Sequence, residues 1–322
     1  MVKIKQGSVK TFDALKSECE KRGLFKRSLR TIWFELAAVV ILFLFSFILK
    51  DTDPFASFFI ESVAGITLLW WIHDSGHDAF FKSRKTSQFV IETMGLMFMG
   101  MPQIEYHYEV HRIHHAHTNI IGKDKALDTQ PIIWSDKQLS RRINWIQRHQ
   151  SFVWFFLVLP FVWPLITFRS VQTLIQRKKY FRLSIFVLRW MLVPVLFNYN
   201  WLLIIGPTLI SGFVLGFVGS LNHFHMPMDI QRLGNFPESV FVTTQNLKHR
   251  GIFATWITGG LNFHIEHHMF PTMPSKNLKH AAPLVQQFAL ENGLNYNICS
   301  VIEATQKLNV QLKQPLFNWG DL

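Results

Sequence analysis

The sequence predicts an all-α integral membrane protein with four transmembrane helices in two hairpins and a helical cap on the cytoplasmic side. Three observations carry this. Of 322 residues, 49% are hydrophobic and only 17% are charged, below the roughly 25% of a typical soluble domain. The apolar residues gather in runs long enough to cross a bilayer, although mean hydropathy over the whole chain is only +0.16. The Lys and Arg behind the net charge of +12 lie in blocks beside those runs, a pattern of membrane topology rather than of nucleic-acid binding. Membrane lipid is thus the expected surrounding, and nucleic acid is not an expected partner. Disordered, collagen-like and disulfide-scaffold classes are excluded, since Cys19 and Cys299 are the only cysteines and form no C-x-x-C motif.

Taken in order, residues 1–31 form a basic cytoplasmic N-terminal segment. Its first 30 residues hold nine Lys/Arg against Asp13, Glu18 and Glu20, with no apolar core of a signal peptide. Residues 32–322 then read as one membrane domain. Runs 32–49 and 55–72 each approach the roughly 20 residues needed to cross about 30 Å of hydrocarbon, and Lys50-Asp51-Thr52-Asp53-Pro54 turns between them. A third run, 152–168, carries Pro160 and Pro164, and the stretch 169–182 adds five Lys/Arg with no acid. Runs 183–197 and 201–221 form a second hairpin around Asn198-Tyr199-Asn200.

Parity fixes the topology. A basic N-terminus belongs in the cytoplasm, so the first hairpin returns the chain there at His73. A full crossing at 152–168 would strand His223 on the opposite side and expose the basic 169–182 loop outside. An interfacial or re-entrant segment removes both conflicts. Glu35, Glu61 and Arg189 lie in or near these runs; Glu35 and Arg189 can snorkel, which leaves Glu61 as the intramembrane group of interest.

The chain has 15 His, and eight of them fall within three five-residue strings, where even spreading would give roughly 0.7. The strings are His73-Asp74-Ser75-Gly76-His77, His111-Arg112-Ile113-His114-His115 and His264-Ile265-Glu266-His267-His268. Spacings of three and four residues put side chains on one helix face, so each string presents two or three imidazoles together. Imidazole is a neutral ligand for Zn, Cu, Fe and Ni. Eight exceed the four that close a tetrahedral zinc site, so a His-rich dinuclear non-haem iron centre fits best. Asp74, Asp78 and Glu266 are candidates to orient ring N–H groups. A ninth ligand is expected at His223 rather than His225, because His223 sits where the last apolar run emerges, as His73 does. His149, His249 and His280 read as ordinary histidines.

In the order His-x3-His, His-x2-His-His, His-x2-His-His, these strings resemble the membrane fatty-acid desaturase superfamily. Their flanks are similar to those of front-end acyl desaturases: Ala116, Thr118-Asn119, Gly122-Lys123-Asp124 and Asp128-Thr129-Gln130-Pro131 after the second string, and Gly260-Leu261-Asn262-Phe263 and Met269-Phe270-Pro271 around the third. The match continues through Pro274, Asn277-Leu278 and Pro283-Leu284-Val285. Asn222-His223 resembles the family's extra ligand. Two features depart from the subgroup: His264 stands where Gln is usual, and a basic stretch of about 30 residues precedes the first run where a cytochrome b5 domain is common.

The resemblance implies a desaturase acting on an acyl-CoA or acyl lipid, with two iron ions (Fe2+), O2 as co-substrate and a separate cytochrome b5-type electron donor meeting the basic cytoplasmic face. The acyl chain would lie in an apolar tunnel with Trp70 and Trp71 as lining candidates, or these two rings anchor the interface. The subgroup points to the endoplasmic reticulum membrane in a eukaryote, and the inner membrane would serve in a bacterium. A di-iron hydroxylase on the same scaffold is the alternative, followed by a zinc-dependent membrane hydrolase or receptor.

Overall fold

A computed structural model describes residues 10–138, 144–158, 161–229, 236–248 and 251–317. The first helix, α1 (Phe12–Lys21), starts at Thr11, whose hydroxyl accepts the Ala14 N–H. Its Leu15 and Cys19 are buried in an apolar cluster with Ile265, Met269 and Leu284. Part of the basic N-terminal segment is therefore folded onto the third histidine string.

Two apolar runs become α2 (Leu29–Leu49) and α3 (Pro54–Gly76). Asp53 closes the turn between them: its carboxylate accepts the Ala56 N–H at 3.0 Å, and Pro54 occupies the first helical position, where a missing N–H is no loss. Buried hydroxyls of Ser46 and Ser57 meet at 3.1 Å across the pair, and Ser46 also donates to Glu61 at 3.3 Å. Glu61 thus belongs to helix packing, away from the histidines.

A polar layer follows. It holds α4 (Arg84–Met94), α5 (Gln103–Tyr106) and α6 (Arg112–His117), with π-helical turns at Gly95–Met99 and His107–His111. Glu92 accepts the N–H groups of Gln103 and Ile104 at 3.0 and 3.1 Å, capping α5. Short α7 (Trp145–Arg148) and α8 (Gln150–Val153) lead into a π-helical stretch, Trp154–Val158. Next come α9 (Val162–Gln176), α10 (Tyr180–Leu196) and α11 (Trp201–His223). The remainder comprises α12 (Phe236–Thr243), β1 (Asn246–Leu247), α13 (Ile252–Ile257), α14 (His264–Met269), α15 (Ser275–Glu291), β2 (Ile298–Cys299) and α16 (Val301–Phe317). The two short strands pair in parallel, with Asn246 opposite Ile298.

Among the described residues three helices, α2, α3 and α11, are long and apolar enough to cross a membrane. The fourth expected crossing is α10, which has 17 residues and so extends about 25 Å. At its start Arg182 binds Glu92 at 2.8 Å and Glu105 at 2.7 Å. Just beyond its end Asn198 donates to Asp51 at 2.9 Å, beside the α2–α3 turn. In α9, Trp163 packs on Gly212 of α11, where a Cβ would come within 2.7 Å of the Trp163 Cβ. Close approach of α3 and α11 likewise needs Gly65, whose Cβ would meet Ser211 Oγ at 2.9 Å. Phe34, Ile41, Phe45 and Ile48 of α2 and Leu188 and Leu192 of α10 point outward, as lipid-facing side chains do. Pro160 and His249 lie outside the described residues, while His149 and His280 are exposed.

Candidate metal centre

The imidazoles converge from four elements: the end of α3, the π turn with α6, the end of α11, and α14. Helical geometry sorts them. Successive residues on a helix point about 100° apart and residues four apart share a face. His73 and His77, and His111 and His115, are such pairs, as are His264 and His268. Each His-His dipeptide therefore splits between two directions.

The result is two groups. Ligand-capable nitrogens of His73, His77, His111 and His267 lie within 4.8 Å of one another, and those of His114, His223 and His268 do the same. His115 joins the first group, with its Nε2 3.2 Å from His267 Nε2 and its ring 4.6 Å from that of His77. His264 joins the second, with its Nε2 2.8 Å from His223 Nε2. In the first group the Nε2 atoms of His77 and His111 approach to 2.7 Å. His223, and not His225, enters the cluster, in line with its position at the end of α11.

Burial and the charge that neighbouring rings would carry push His77, His111, His115, His264, His267 and His268 well below the ordinary imidazole range. That shift favours the neutral form, the one that ligates a metal. Nε2 of His73 and of His268 are buried without a protein partner, one in each group. A cation in each group would satisfy both nitrogens, so the residues fit a two-metal centre.

The supporting carboxylates are only partly those expected. Asp74 accepts from the Ser275 N–H at 2.8 Å and from the Ser275 hydroxyl, and lies 3.2 Å from His73 Nδ1. Asp78 instead receives Arg112 at 2.7 Å, which also reaches the Gly76 carbonyl at 3.0 Å. Glu266 is fully buried but turns away from the imidazoles, accepting from Asn246 at 2.8 Å and from the Tyr296 hydroxyl. Burial, offset in part by these two donors, raises its carboxyl to about 7. Asn222 donates to the Leu261 carbonyl at 3.1 Å, tying α11 to the segment before α14.

The sequence reading passed over two contacts. Asp124 lies 2.9 Å from His114 Nδ1 and also accepts the N–H groups of Asn119 and Ala126, each at 2.9 Å. Burial alone would raise its pKa, but His114 and these N–H groups hold it low. Its local signals are its place in the Gly122-Lys123-Asp124 flank and its cap of the short turn 125–127, and neither names His114 as its partner. The Thr243 carbonyl, 3.0 Å from His223 Nδ1, leaves no side-chain signal at all. His107 is also buried beside His111, rings 5.6 Å apart, and burial lowers it to about 3. Gly76 makes room for it, because a Cβ there would lie 2.3 Å from His107 Nδ1.

A cavity runs up to the two groups, where it meets His73, His111, His114, His223 and His264. Its walls are mostly apolar, including Trp70, Trp134, Leu165, Ile166, Leu215 and Leu261, with Lys125 and Arg169 as its cations. Trp70 is held by a 3.2 Å bond from its Nε1 to the Ile257 carbonyl. Trp71 does not reach the cavity. It is buried between α2 and the Phe80–Phe81 pair, because the next residue on a helix faces another side, and its Nε1 meets the Ile32 carbonyl at 3.4 Å.

Comparison with known proteins identifies the family. Residues 54–300 match the family described as fatty acid desaturase. A delta-5 fatty acid desaturase of Caenorhabditis elegans is 29% identical over 90% of this chain and 70% of its own length. A fatty acid desaturase 2-like protein of Mus musculus is 27% identical over 97% of this chain and 67% of its own. An acyl-lipid (9-3)-desaturase of Physcomitrium patens is 31% identical over 76% of this chain and 50% of its own. No solved structure gives a significant match. The family match covers most of the chain, including all nine clustered histidines, and the chain belongs to the fatty acid desaturase family.

Proposed function

We propose that this oxidoreductase inserts a double bond into a fatty acyl chain, using two iron ions, O2 and electrons from a separate carrier. The observation that carries the reading is that two groups of clustered imidazoles close one end of an apolar cavity. Relatives named as delta-5 and acyl-lipid desaturases support a fatty acyl substrate. Iron bound in both groups would supply the oxidant that an unactivated C–H bond demands.

The protein's part is placement. Apolar walls take the acyl chain out of water and hold one methylene against the histidines. Gly219 leaves the wall open one turn before His223, since a Cβ there would meet nothing within 4 Å. Asp74 and Asp124 fix ring orientation for one histidine of each group. Lys125 and Arg169 offer positive charge to an anionic head group, and the basic face suits an acidic cytochrome b5-type donor.

In topology, α2, α3, α10 and α11 are four crossings forming two hairpins. The Asn198–Asp51 bond supports this, since it joins the two interhelical turns at one end. The described parts of 152–168 lie at the interface or re-enter, the latter favoured by the packing of Trp163 on Gly212, eleven residues before His223. Both termini, the basic 1–31 segment and the histidines of the 32–322 domain face the cytoplasm, in the endoplasmic reticulum if the cell is eukaryotic.

Expression in yeast supplied with several acyl chains, iron and a cytochrome b5 tests this by gas chromatography with mass detection. A product lighter by two hydrogens is expected. No new product would refute the proposal, and a product heavier by one oxygen would establish the hydroxylase instead.

A further inference from the structure

The segment 251–263, Gly-Ile-Phe-Ala-Thr-Trp-Ile-Thr-Gly-Gly-Leu-Asn-Phe, contains no ionisable residue. Its helix α13 packs on α3 through Trp256 and Ile257. Trp256 Nε1 donates to Thr67 Oγ1 at 3.0 Å, and Ile257 accepts from Trp70. The first turn of the helix presents a bare edge: Ile252 is 90% and Phe253 69% exposed.

The depth of these contacts decides what covers that edge. About 20 helical residues fill the hydrocarbon core, so a crossing begun at Pro54 reaches its far boundary near His73. Thr67 lies six residues short of that boundary, about 9 Å inside, and Trp70 about 4.5 Å inside. Interfacial helices sit about 5–10 Å into the headgroup–acyl boundary.

We propose that α13 is a lipid-immersed interfacial helix, with Ile252 and Phe253 seated in the acyl chains of the leaflet next to the histidine layer. This rests on the reading of α3 as a crossing. Gly259 and Gly260, with φ of +58° and +81°, then turn the chain sharply out of the lipid to Leu261 at the cavity wall and His264 in the second group. A Cβ at Gly259 would strike the Trp70 ring at 2.3 Å, so this return is fixed against α3. The leaflet is thereby coupled to the third histidine string through the six residues 258–263.

The test uses the intact chain in phosphatidylcholine vesicles containing a diazirine-acyl phosphatidylcholine, with photoadducts mapped by mass spectrometry. Adducts are expected at Ile252 and Phe253 and at Phe34, Ile41 and Phe45 of α2, above the level at Leu290, an exposed residue of α15. Adducts on α2 with none on α13 overturn the inference and leave the crossings intact; none on α2 overturns both. Independently, a nitroxide on Phe253→Cys, with Cys19 and Cys299 replaced by Ser, should relax more with O2 than with a water-soluble nickel chelate. The reverse order overturns the inference.

Discussion

Replacing Asp124 by Asn probes the second metal group with the least change of shape. Asp124 accepts three contacts: His114 Nδ1 and Asn119 N–H on Oδ2, and Ala126 N–H on Oδ1. An amide has one acceptor oxygen, so at least one of these donors must face an NH2 group. The best orientation keeps the oxygen on His114 and Asn119 and sacrifices the Ala126 contact, at about 1–3 kcal/mol for an unmet buried donor. The larger effect is on the metal. Without the carboxylate's charge His114 is a weaker ligand, and loss of such a partner lowers metal affinity or activity about 10–100-fold, equivalent to about 1.4–2.7 kcal/mol. Titrating metal-free protein with ferrous iron, with bound metal counted by plasma mass spectrometry, should show one of two sites weakened by that factor. Product formation should fall in step, and the unfolding midpoint only modestly. Wild-type affinity at both sites with wild-type turnover would refute the assignment of Asp124 to His114.

His267→Ala should abolish desaturation with normal membrane insertion; retained turnover would remove His267 from the ligand set. Gly219→Leu fills the cavity one turn before His223, so turnover of long acyl chains should collapse while metal content stays normal; unchanged product profiles would place the acyl chain elsewhere. Arg182→Ala strands Glu92 and Glu105, two buried carboxylates, and should cost about 3–5 kcal/mol, seen as a lower unfolding midpoint in detergent. Glu266→Gln puts an amide N–H against one of its two donors and should cost about 1–3 kcal/mol, with metal content retained; loss of metal would mean that Glu266 acts on the imidazoles after all.

Much of the site was legible because helical periodicity writes itself into spacing. The His-x3-His and His-x2-His-His strings already contain the shared faces, and the His-His dipeptides contain the split into two groups. His223 was found by the same logic, from where an apolar run ends. What escaped depends on long-range contact. Asp124 comes from a loop, where no period links it to His114. Asp78 and Glu266 looked equivalent to Asp74 in sequence, but Arg112 claims one and Asn246 with Tyr296 claims the other. Trp70 and Trp71 differ only in helix face, and adjacent aromatics in an apolar run give no phase. The apolar runs 32–49, 55–72 and 201–221 appear as long helices, whereas α10 is short and carries Arg182 and Arg189. Its role rests on contacts at its two ends that hydropathy does not report. The lipid-facing α13 was invisible for a related reason: six residues are too few to register as a membrane element.

The most direct measurement is the metal content of the purified chain, iron and zinc together, by plasma mass spectrometry. Two imidazole groups with iron in each predict about two iron per chain and little zinc. About one zinc and no iron would contradict the account, since a closed tetrahedral site needs only four of the nine histidines.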